Sequence, residues 1–428
     1  MNFFAATAAA YAGEALLSER RPEVSFSPSC QIWGQVGDIY VNQETAMNYA
    51  AFWAGVTLLS EAIAVPPLKV MRTDKSGTKE YADQHPTNWV TFKAVNEWQT
   101  PSNWKSVSMC HLLMGGNSVD IIERNGRGQC IGLEKILPTN TRFAVNGDTR
   151  LPVYMVRRSP VTDSSQIYYQ NGFPTAQEEV LSHEEILHLR PFSTDGRIGR
   201  SVLNQARNSI GMGLTIDRFG KRIFNRGRVQ GFISKPGGLT DKNRDMIRQE
   251  WRELNEGVDN AFNIGILHSG MDWKQVGYTN DDAQFLQNRA FQILEIARWL
   301  RIPPHMLGDL SETSNLSIEQ LMLYFIEFTL QPWISRWEEE MNLRLFTPRE
   351  QFSYTVQFDL DAFLRGDSAT RKKNEEMDIR NGVRTLDEVR SSYNLAPYPD
   401  GIGNEPLIIA SQLDYLKNVF MGKSKLQG

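Results

Sequence analysis

The sequence predicts an α+β fold. Three observations carry that prediction. Apolar residues recur at helical spacing over several long stretches, and Asn-Gly pairs separate short alternating runs in the N-terminal half. In the C-terminal half, two long helical stretches enclose a short glycine-bearing β segment. At 428 residues the chain is too long for one small core, and length alone suggests about two or three domains.

The opening stretch MNFFAATAAAYAGEALLSERR is rich in alanine but lacks the basic start and compact apolar run of a signal peptide, so it reads as an arm or short helix. Residues 44–64 read as a helix with Met47, Ala50, Ala54, Leu58 and Ile63 on one stripe, stopped by Pro66-Pro67. The weakly polar run between Glu44 and Glu61 is too short to span a bilayer, and no membrane role is expected. Short strands follow. Leu68 to Met71 leads to a turn at Asp74 to Gly77, and Val119 to Glu123 leads to Asn125-Gly126. Arg142 to Val145 leads through Asn146-Gly147 to Val153 to Val156. Asn-Gly marks hairpins because both residues tolerate positive φ.

From residue 197 the pattern turns helical. One helix is expected from about Arg200 to Phe224, followed by a segment between Gly227 and Gly238. A charged helix opens at Thr240 and runs to about Glu256. The stretch Asn263 to Tyr278 holds a hairpin-like turn at His268-Ser269-Gly270. Another helix, about Asp282 to Ile302, carries Leu286, Ala290, Ile293, Ala297 and Leu300. That narrow stripe suits packing against a neighbouring helix. Pro303-Pro304 ends it, and a polar loop reaches Asn315. Ser317 with Gln320 caps a third long helix to about Phe346, kinked near Pro332. The tail has a helix from Ser368 to Arg380, a stop at Asn381-Gly382, and a capping box at Thr385 and Glu388.

Charge and motifs exclude several functions. The 46 basic and 50 acidic residues leave a net charge of −4, with pI near 6.0. A protein that grips duplex DNA along its length needs a basic excess, since phosphate contacts dominate affinity. Cys30, Cys110 and Cys130 form no even framework and read as reduced thiols of a protein made in the cytoplasm. His183-Glu184-Glu185-Ile186-Leu187-His188 resembles a zinc-protease motif with one residue too many, which puts its histidines on different helix faces; a turn entering a strand at Ile186 to Leu189 explains it. Gly422-Lys423-Ser424 lacks the earlier glycine of a phosphate loop, because position 417 is Lys417. Asp195-Gly196-Arg197-Ile198-Gly199 is a loop entering a helix. Asp281-Asp282 are adjacent acids at a helix start, where they suit the macrodipole. No catalytic residue, metal ligand or cofactor is expected.

Several motifs together resemble the portal proteins of tailed bacteriophages. They are His85-Pro86, Leu113-Met114-Gly115-Gly116-Asn117, Glu185 to Leu189, Asp195-Gly196 with Gly199 and Ser201, and Gly265 to Gly270 before Trp273. Glu295-Ile296-Ala297-Arg298, Ile302-Pro303-Pro304 and Leu307-Gly308 form the densest match. Asn315, Glu319, Leu330 and Pro332 follow, then Gly382, Thr385, Glu388, Arg390, Pro397 and Gly401. The resemblance covers most of residues 45–400. It departs from the family at Arg226-Gly227, where portals commonly carry Asn-Gly and a nearby proline.

The resemblance implies a portal-type fold with a mixed wing at 1–239, stem helices at 240–258 and 281–302, and a β-containing clip at 259–280. Residues 303–361 would hold the tunnel loop, the long kinked helix and the return to the wing, and 362–428 the helical crown. It implies a ring of about twelve copies at a capsid vertex of the virion, closed by heterologous contacts. Double-stranded DNA would pass through its channel, and the large terminase subunit, a head-tail adaptor and the major capsid or scaffold protein would be partners. Ser311, Glu312, Thr313, Ser314 and Asn315 would line the narrowest point, the alternative being an ordinary exposed connector. Lys242, Arg244 and Arg248 would face the channel from the stem, or form a salt-bridged solvated face with Asp241, Asp245 and Glu250. Asp272, Trp273 and Lys274 would meet partners at the clip, unless Trp273 is core. Leu286, Ala290, Ile293, Ala297 and Leu300 would pack subunits together. The rivals are another head structural or adaptor protein, and a phage hydrolase or nuclease, which would need clustered acids or histidines that the sequence does not display.

Overall fold

The computed structural model describes residues 34–36 and 39–405, except 76, 147–148, 158–168, 171–172, 175–177, 227–230, 235–239, 256–271, 276–280, 310–317, 361–367 and 394. The chain divides into two units, Met1–Asp359 and Leu360–Gly428.

The larger unit opens with β1 (Gly34–Val36) and β2 (Ile39–Val41), paired antiparallel. α1 (Gln43–Met47) starts at Asn42. The Asn42 side chain accepts from the Thr45 amide at 2.7 Å, and the Thr45 hydroxyl accepts from the Asn42 amide at 2.8 Å. This reciprocal cap satisfies two orphan donors of the first turn. The single helix expected over 44–64 is therefore two, because the chain turns at Asn48-Tyr49 before α2 (Ala50–Ala64). Tyr49 is extended and buried, with its ring against Gly213, and this pulls the backbone out of the helix. The buried stripe of α2 runs Phe52, Val56, Leu59 and Ile63; of the expected stripe only Ile63 is on it. Gly55 lies in the same face. A Cβ there would fall 2.2 Å from Leu300 Cδ1, so the glycine admits that leucine.

The hairpins form where the turn residues predict. β3 (Leu68–Thr73) pairs with β4 (Lys79–Tyr81). After a π turn at Trp89–Lys93 comes α3 (Pro101–Gly115), which ends at Gly116 with φ +77°. β5 (Ser118–Arg124) and β6 (Cys130–Ile136) enclose Asn125-Gly126, and β7 (Thr141–Val145) pairs with β8 (Pro152–Arg157). A small pair, β9 (Tyr169–Gln170) and β10 (Phe173–Pro174), precedes β11 (Glu178–Ser182), which adds to β8. β12 (Ile186–Leu189) adds to β5. Val119, Ile121, Ile136, Phe143, Tyr154, Val156, Leu181 and Ile186 close over one another between these sheets.

α4 (Val202–Arg226), β13 (Gly231–Ser234), α5 (Asp241–Asn255), β14 (Asp272–Gln275) and α6 (Asp281–Leu300) follow. α6 stops at Arg301, φ +59°, and the Ile302 amide reaches back to the Ala297 carbonyl at 2.9 Å. This is a left-handed helix cap with arginine where glycine is usual. The third long helix is broken into α7 (Ile318–Tyr324), a π turn at Phe325–Leu330, and α8 (Gln331–Arg344); the cap expected at Ser317 lies outside the described residues. Pro332 explains the widened turn, since it lacks the N–H an α-helix needs and its ring crowds the carbonyl four residues back. β15 (Tyr354–Phe358) returns to β3, giving the order β15-β3-β4. The α+β expectation is borne out.

In the smaller unit, α9 (Ser368–Arg380) ends at Gly382 with φ +68°, and the Thr385–Glu388 capping box opens α10 (Leu386–Ser392), as the sequence predicts. The Tyr393 hydroxyl donates to Glu375 at 2.8 Å, and the Tyr398 amide donates to Asp387 at 2.8 Å.

Gly55→Ala should lower the unfolding free energy by about 1–3 kcal/mol, the range for overfilling a packed core. Gly126→Ala, at a turn with open space around it, should stay near wild type in the same urea titration.

Candidate functional site

The long helix α6 packs along α4. The Trp299 indole N–H donates to the Ser209 hydroxyl at 3.0 Å, and Arg289 faces Asp217 at 3.6 Å. As α6 advances by ten residues, its partner on α4 moves back by eight, so the pair is antiparallel, and its register brings the end of α4 beside the start of α6. Residues 227–280 are thus an excursion at one end of the pair. Within it, β13 and β14 pair antiparallel, with Ile233 opposite Trp273, and α5 lies between them in sequence. Midway along the pair, between the Ser209 and Asp217 contacts, Tyr49 lies against Gly213, and burial pushes its hydroxyl up to about 12, with Asp217 adding and Arg289 offsetting.

This arrangement changes several expectations. Among the described residues, the helix seen to run beside α6 is α4, where the expectation was the 240–258 segment. On α6, Ala297 and Leu300 are buried inside their own chain, Leu300 against Gly55, so they are not available to a neighbouring subunit. Ala290 is exposed and Ile293 half-buried, while the Leu286 side chain lies outside what is described. On α5, Lys242 and Arg244 are exposed, and Arg244 already pairs with Asp241, which favours the salt-bridged reading at that position. Arg248 and the side chains of Asp272, Trp273 and Lys274 are placed by backbone alone. Ser311, Glu312, Thr313, Ser314 and Asn315 lie outside the described residues.

A polar junction holds the root of α4. The Asn117 Oδ1 accepts from the Gly199 amide at 3.0 Å and lies 2.9 Å from His188 Nε2. A carbonyl oxygen can only accept, so Nε2 carries the proton, and Nδ1 then accepts from the Tyr154 hydroxyl at 3.1 Å. Burial, with Arg190 and Arg344 nearby, holds His188 well below its usual range, in agreement with that neutral tautomer. Burial also pushes the Tyr154 hydroxyl up to about 12, which keeps its proton in place. Phe143 stacks on the His188 ring at 4.8 Å. The Ser201 hydroxyl donates to the Met114 carbonyl at 2.7 Å and caps the start of α4 through the Asn204 amide at 3.1 Å. Gly116 and Gly199 allow the two backbones to touch, since a Cβ on Gly199 would fall 2.0 Å from the Gly116 carbonyl oxygen. In the loop before α4, Asp195 accepts from the Arg197 and Ile198 amides and the Ser193 hydroxyl at 2.8, 2.9 and 2.8 Å; the Ile198 and Arg197 bonds lower its carboxyl to about 2. The metal reading of His183 and His188 fails here, because both nitrogens of His188 are engaged and His183 stands in a turn.

Sequence reasoning missed a second buried network. Lys135 Nζ reaches Asp120 Oδ2 at 2.7 Å, Ser108 Oγ at 2.6 Å and Ser118 Oγ at 2.9 Å, and the Trp104 indole donates to Asp120 Oδ1 at 2.8 Å. Burial raises the Asp120 carboxyl and lowers the Lys135 ammonium, while their contact opposes both shifts. The signal was available in the hairpin, because closing β5 and β6 around Asn125-Gly126 sets Asp120 opposite Lys135. Among the described residues, no three His, Cys, Asp or Glu side chains converge as metal ligands would, and no helix is long and apolar enough to cross a membrane.

Comparison with known proteins bears on this arrangement. The family model described as phage portal protein matches residues 50–394. The portal protein of Enterobacteria phage HK97 is 29% identical over 374 residues, covering 86% of this chain and 84% of its own length. Two solved structures share the fold. An HK97-family phage portal protein from Corynebacterium diphtheriae superposes with a TM-score of 0.54 at 16% identity, over 78% of this chain and 100% of its own. A chain from the neck of a native gene transfer agent particle, computed with C12 symmetry, gives 0.53 at 17% identity, over 87% and 99%.

Asn117→Ala should cost roughly 2–4 kcal/mol, since it strands the buried Gly199 N–H and His188 Nε2–H together; chemical denaturation measures it. Two histidines, His188 buried and His111 half-buried, also set a pH dependence. His188 is well below 6.5 and His111 is lowered to about 3, by burial first and then by Lys135. The unfolded chain takes up these protons below pH 6.5 while the folded chain does not. Their stabilisation is therefore complete above 6.5 and declines as pH falls, by at most about 1.4 kcal/mol per pH unit for each histidine. Urea titrations from pH 7 to pH 5 should give that slope, and His188→Gln should reduce it.

Proposed function

The chain belongs to the phage portal protein family, and on that premise we propose that it forms a closed ring at one vertex of a viral capsid, with duplex DNA passing through the centre. The observation that carries this reading is the family match together with the antiparallel α4–α6 pair and the excursion at its end. A stem must run outward and return, and α4 with α6 does so. The proposed stem is therefore α4 and α6, in place of 240–258 and 281–302, and residues 227–280 form the clip. The other parts stay as expected, with the wing in the rest of the larger unit, the tunnel loop and kinked helix in 303–361, and the crown in 362–428.

The particle neck computed with C12 symmetry supports twelve copies. In this reading the large terminase subunit docks on the clip, where Asp272, Trp273 and Lys274 occupy β14, and a head-tail adaptor takes its place after packaging. The major capsid or scaffold protein surrounds the wing. Lys242, Arg244 and Arg248 belong to the clip and not to the channel wall. The ring is a conduit and catalyses no reaction itself, with no cofactor. Weak contact suits sliding DNA, and the chain offers it: the net charge is −4, and Ser311 to Asn315 are small and polar apart from one acid.

Mass photometry and negative-stain microscopy of the purified protein should give closed rings with a central hole and a mass near twelve 48.8 kDa subunits. Deleting Ser311 to Asn315 should leave those rings intact but sharply reduce the yield of genome-filled particles. Monomers at high concentration would reject the ring; unchanged particle yield would reject the tunnel role.

A further inference from the structure

The stretch Leu321 to Leu330 reads Leu-Met-Leu-Tyr-Phe-Ile-Glu-Phe-Thr-Leu, with apolar side chains on every side of the helix. A helix that is apolar all round belongs in a buried setting. Only one side of this one is buried, at Phe325, Thr329 and Leu330, while Met322, Leu323, Tyr324 and Phe328 stand 39–54% exposed. The Tyr324 and Phe328 rings lie against each other across the start of the π turn, with centroids 4.7 Å apart. Beside them Gln320, Glu327 and Gln331 are exposed too, so an apolar centre has a polar rim, as protein interfaces do. An aromatic side chain can bury about 150–250 Å², so this half-open pair and the two aliphatic residues leave roughly 400 Å² of apolar surface uncovered. That is about half of the ~800 Å² that one partner brings to a stable interface.

Duplex DNA is a poor cover for this face. From Ile302 to Ser335 the sequence has four acids and no lysine or arginine, and counting Arg301 and Arg336 at its ends still leaves a net charge of −2. That balance repels phosphates, and a duplex offers apolar surface only where base steps are opened. Terminase and adaptor, which replace one another in the ring reading, would uncover the face at each exchange. A neighbouring copy stays in place, and permanent homo-oligomer contacts are the more apolar kind. Resting on the ring reading above, we propose that the neighbouring copy of this chain covers Met322, Leu323, Tyr324 and Phe328. This side of the kinked helix is then a subunit interface and not channel wall. The contact is heterologous, as a closed ring requires.

Photo-crosslinking of the full-length protein tests this. The photoreactive residue p-benzoylphenylalanine replaces Tyr324, the purified protein is checked for rings by mass photometry, and the rings are irradiated and run on a denaturing gel. The expected result is a covalent dimer, with larger multiples above it. A product of monomer mass alone, or no product, from confirmed rings would overturn the assignment and leave the ring standing. Failure of the unsubstituted protein to form rings would overturn both readings. In a second arm, Tyr324→Glu with Phe328→Glu should lower the ring fraction at least tenfold, while circular dichroism and the urea midpoint of the released subunits match those of the unsubstituted chain. An undiminished ring fraction would overturn the assignment. If the charged pair unfolds the chain, the cross-link decides alone.

Discussion

Much of the larger unit depends on one side-chain oxygen. Asn117 Oδ1 accepts from His188 on one side and from Gly199 on the other. Three segments meet there: the residue just past α3 and, 71 and 82 positions later, the strand β12 and the loop that starts α4. Buried polar groups are costly when unpaired, so such a junction stabilises only when every member is satisfied. Here each proton is accounted for, from the Tyr154 hydroxyl through the neutral imidazole to the amide oxygen. The contact of Gly116 with Gly199 then fixes the spacing, because no side chain would fit between those backbones.

That junction matters because α4 leaves from it. A helix of 25 residues carrying an excursion at its far end is a lever, and its direction is set at its root. Ser201 anchors the first turn to α3, Tyr49 lies against Gly213, and Trp299 and Arg289 tie the second helix alongside. α6 is held in turn where Leu300 enters the space over Gly55. α8 joins the same root, since Arg190 pairs with Glu340 at 2.8 Å and Arg124 donates to the Arg344 carbonyl at 2.7 Å. The helix pair and the kinked helix therefore share one foundation of short strands.

Most of this fold could be read in the sequence, but the contacts that organise it could not. Turn residues placed the hairpins well, although the left-handed residue between β5 and β6 is Gly128, two positions past Asn125-Gly126. The capping boxes at Thr385 and at Asn42 are equally local, though only the first was read. Two failures share a cause. The spacing of the stripe on α6 suits a neighbouring subunit, yet Ala297 and Leu300 fill their own chain's core. The sequence order points to the next helix back as the partner of α6, yet the described residues pack it along α4. Periodicity reports that a face is buried and not what buries it. His188 illustrates the same limit, since the strand expected at Ile186 to Leu189 forms, but its partner Asn117 lies 71 residues away and no local pattern names it.

The exit from α6 locates the chain's tolerance for strain. Arg301 holds a positive φ that costs an ordinary residue about 1–2 kcal/mol. It persists because the structure around it is over-determined: Ile302 is buried, and the Thr329 hydroxyl donates to the Arg301 carbonyl at 2.6 Å. Thr329 lies in the π turn that Pro332 imposes, so the strained cap and the irregular turn are joined by one hydrogen bond. The end of α6 and the π turn before α8 are thereby fixed directly to one another, by a bond between residues 28 apart in sequence. The turn's irregular geometry and the strained cap therefore stand or fall together, because each holds the other's backbone in place.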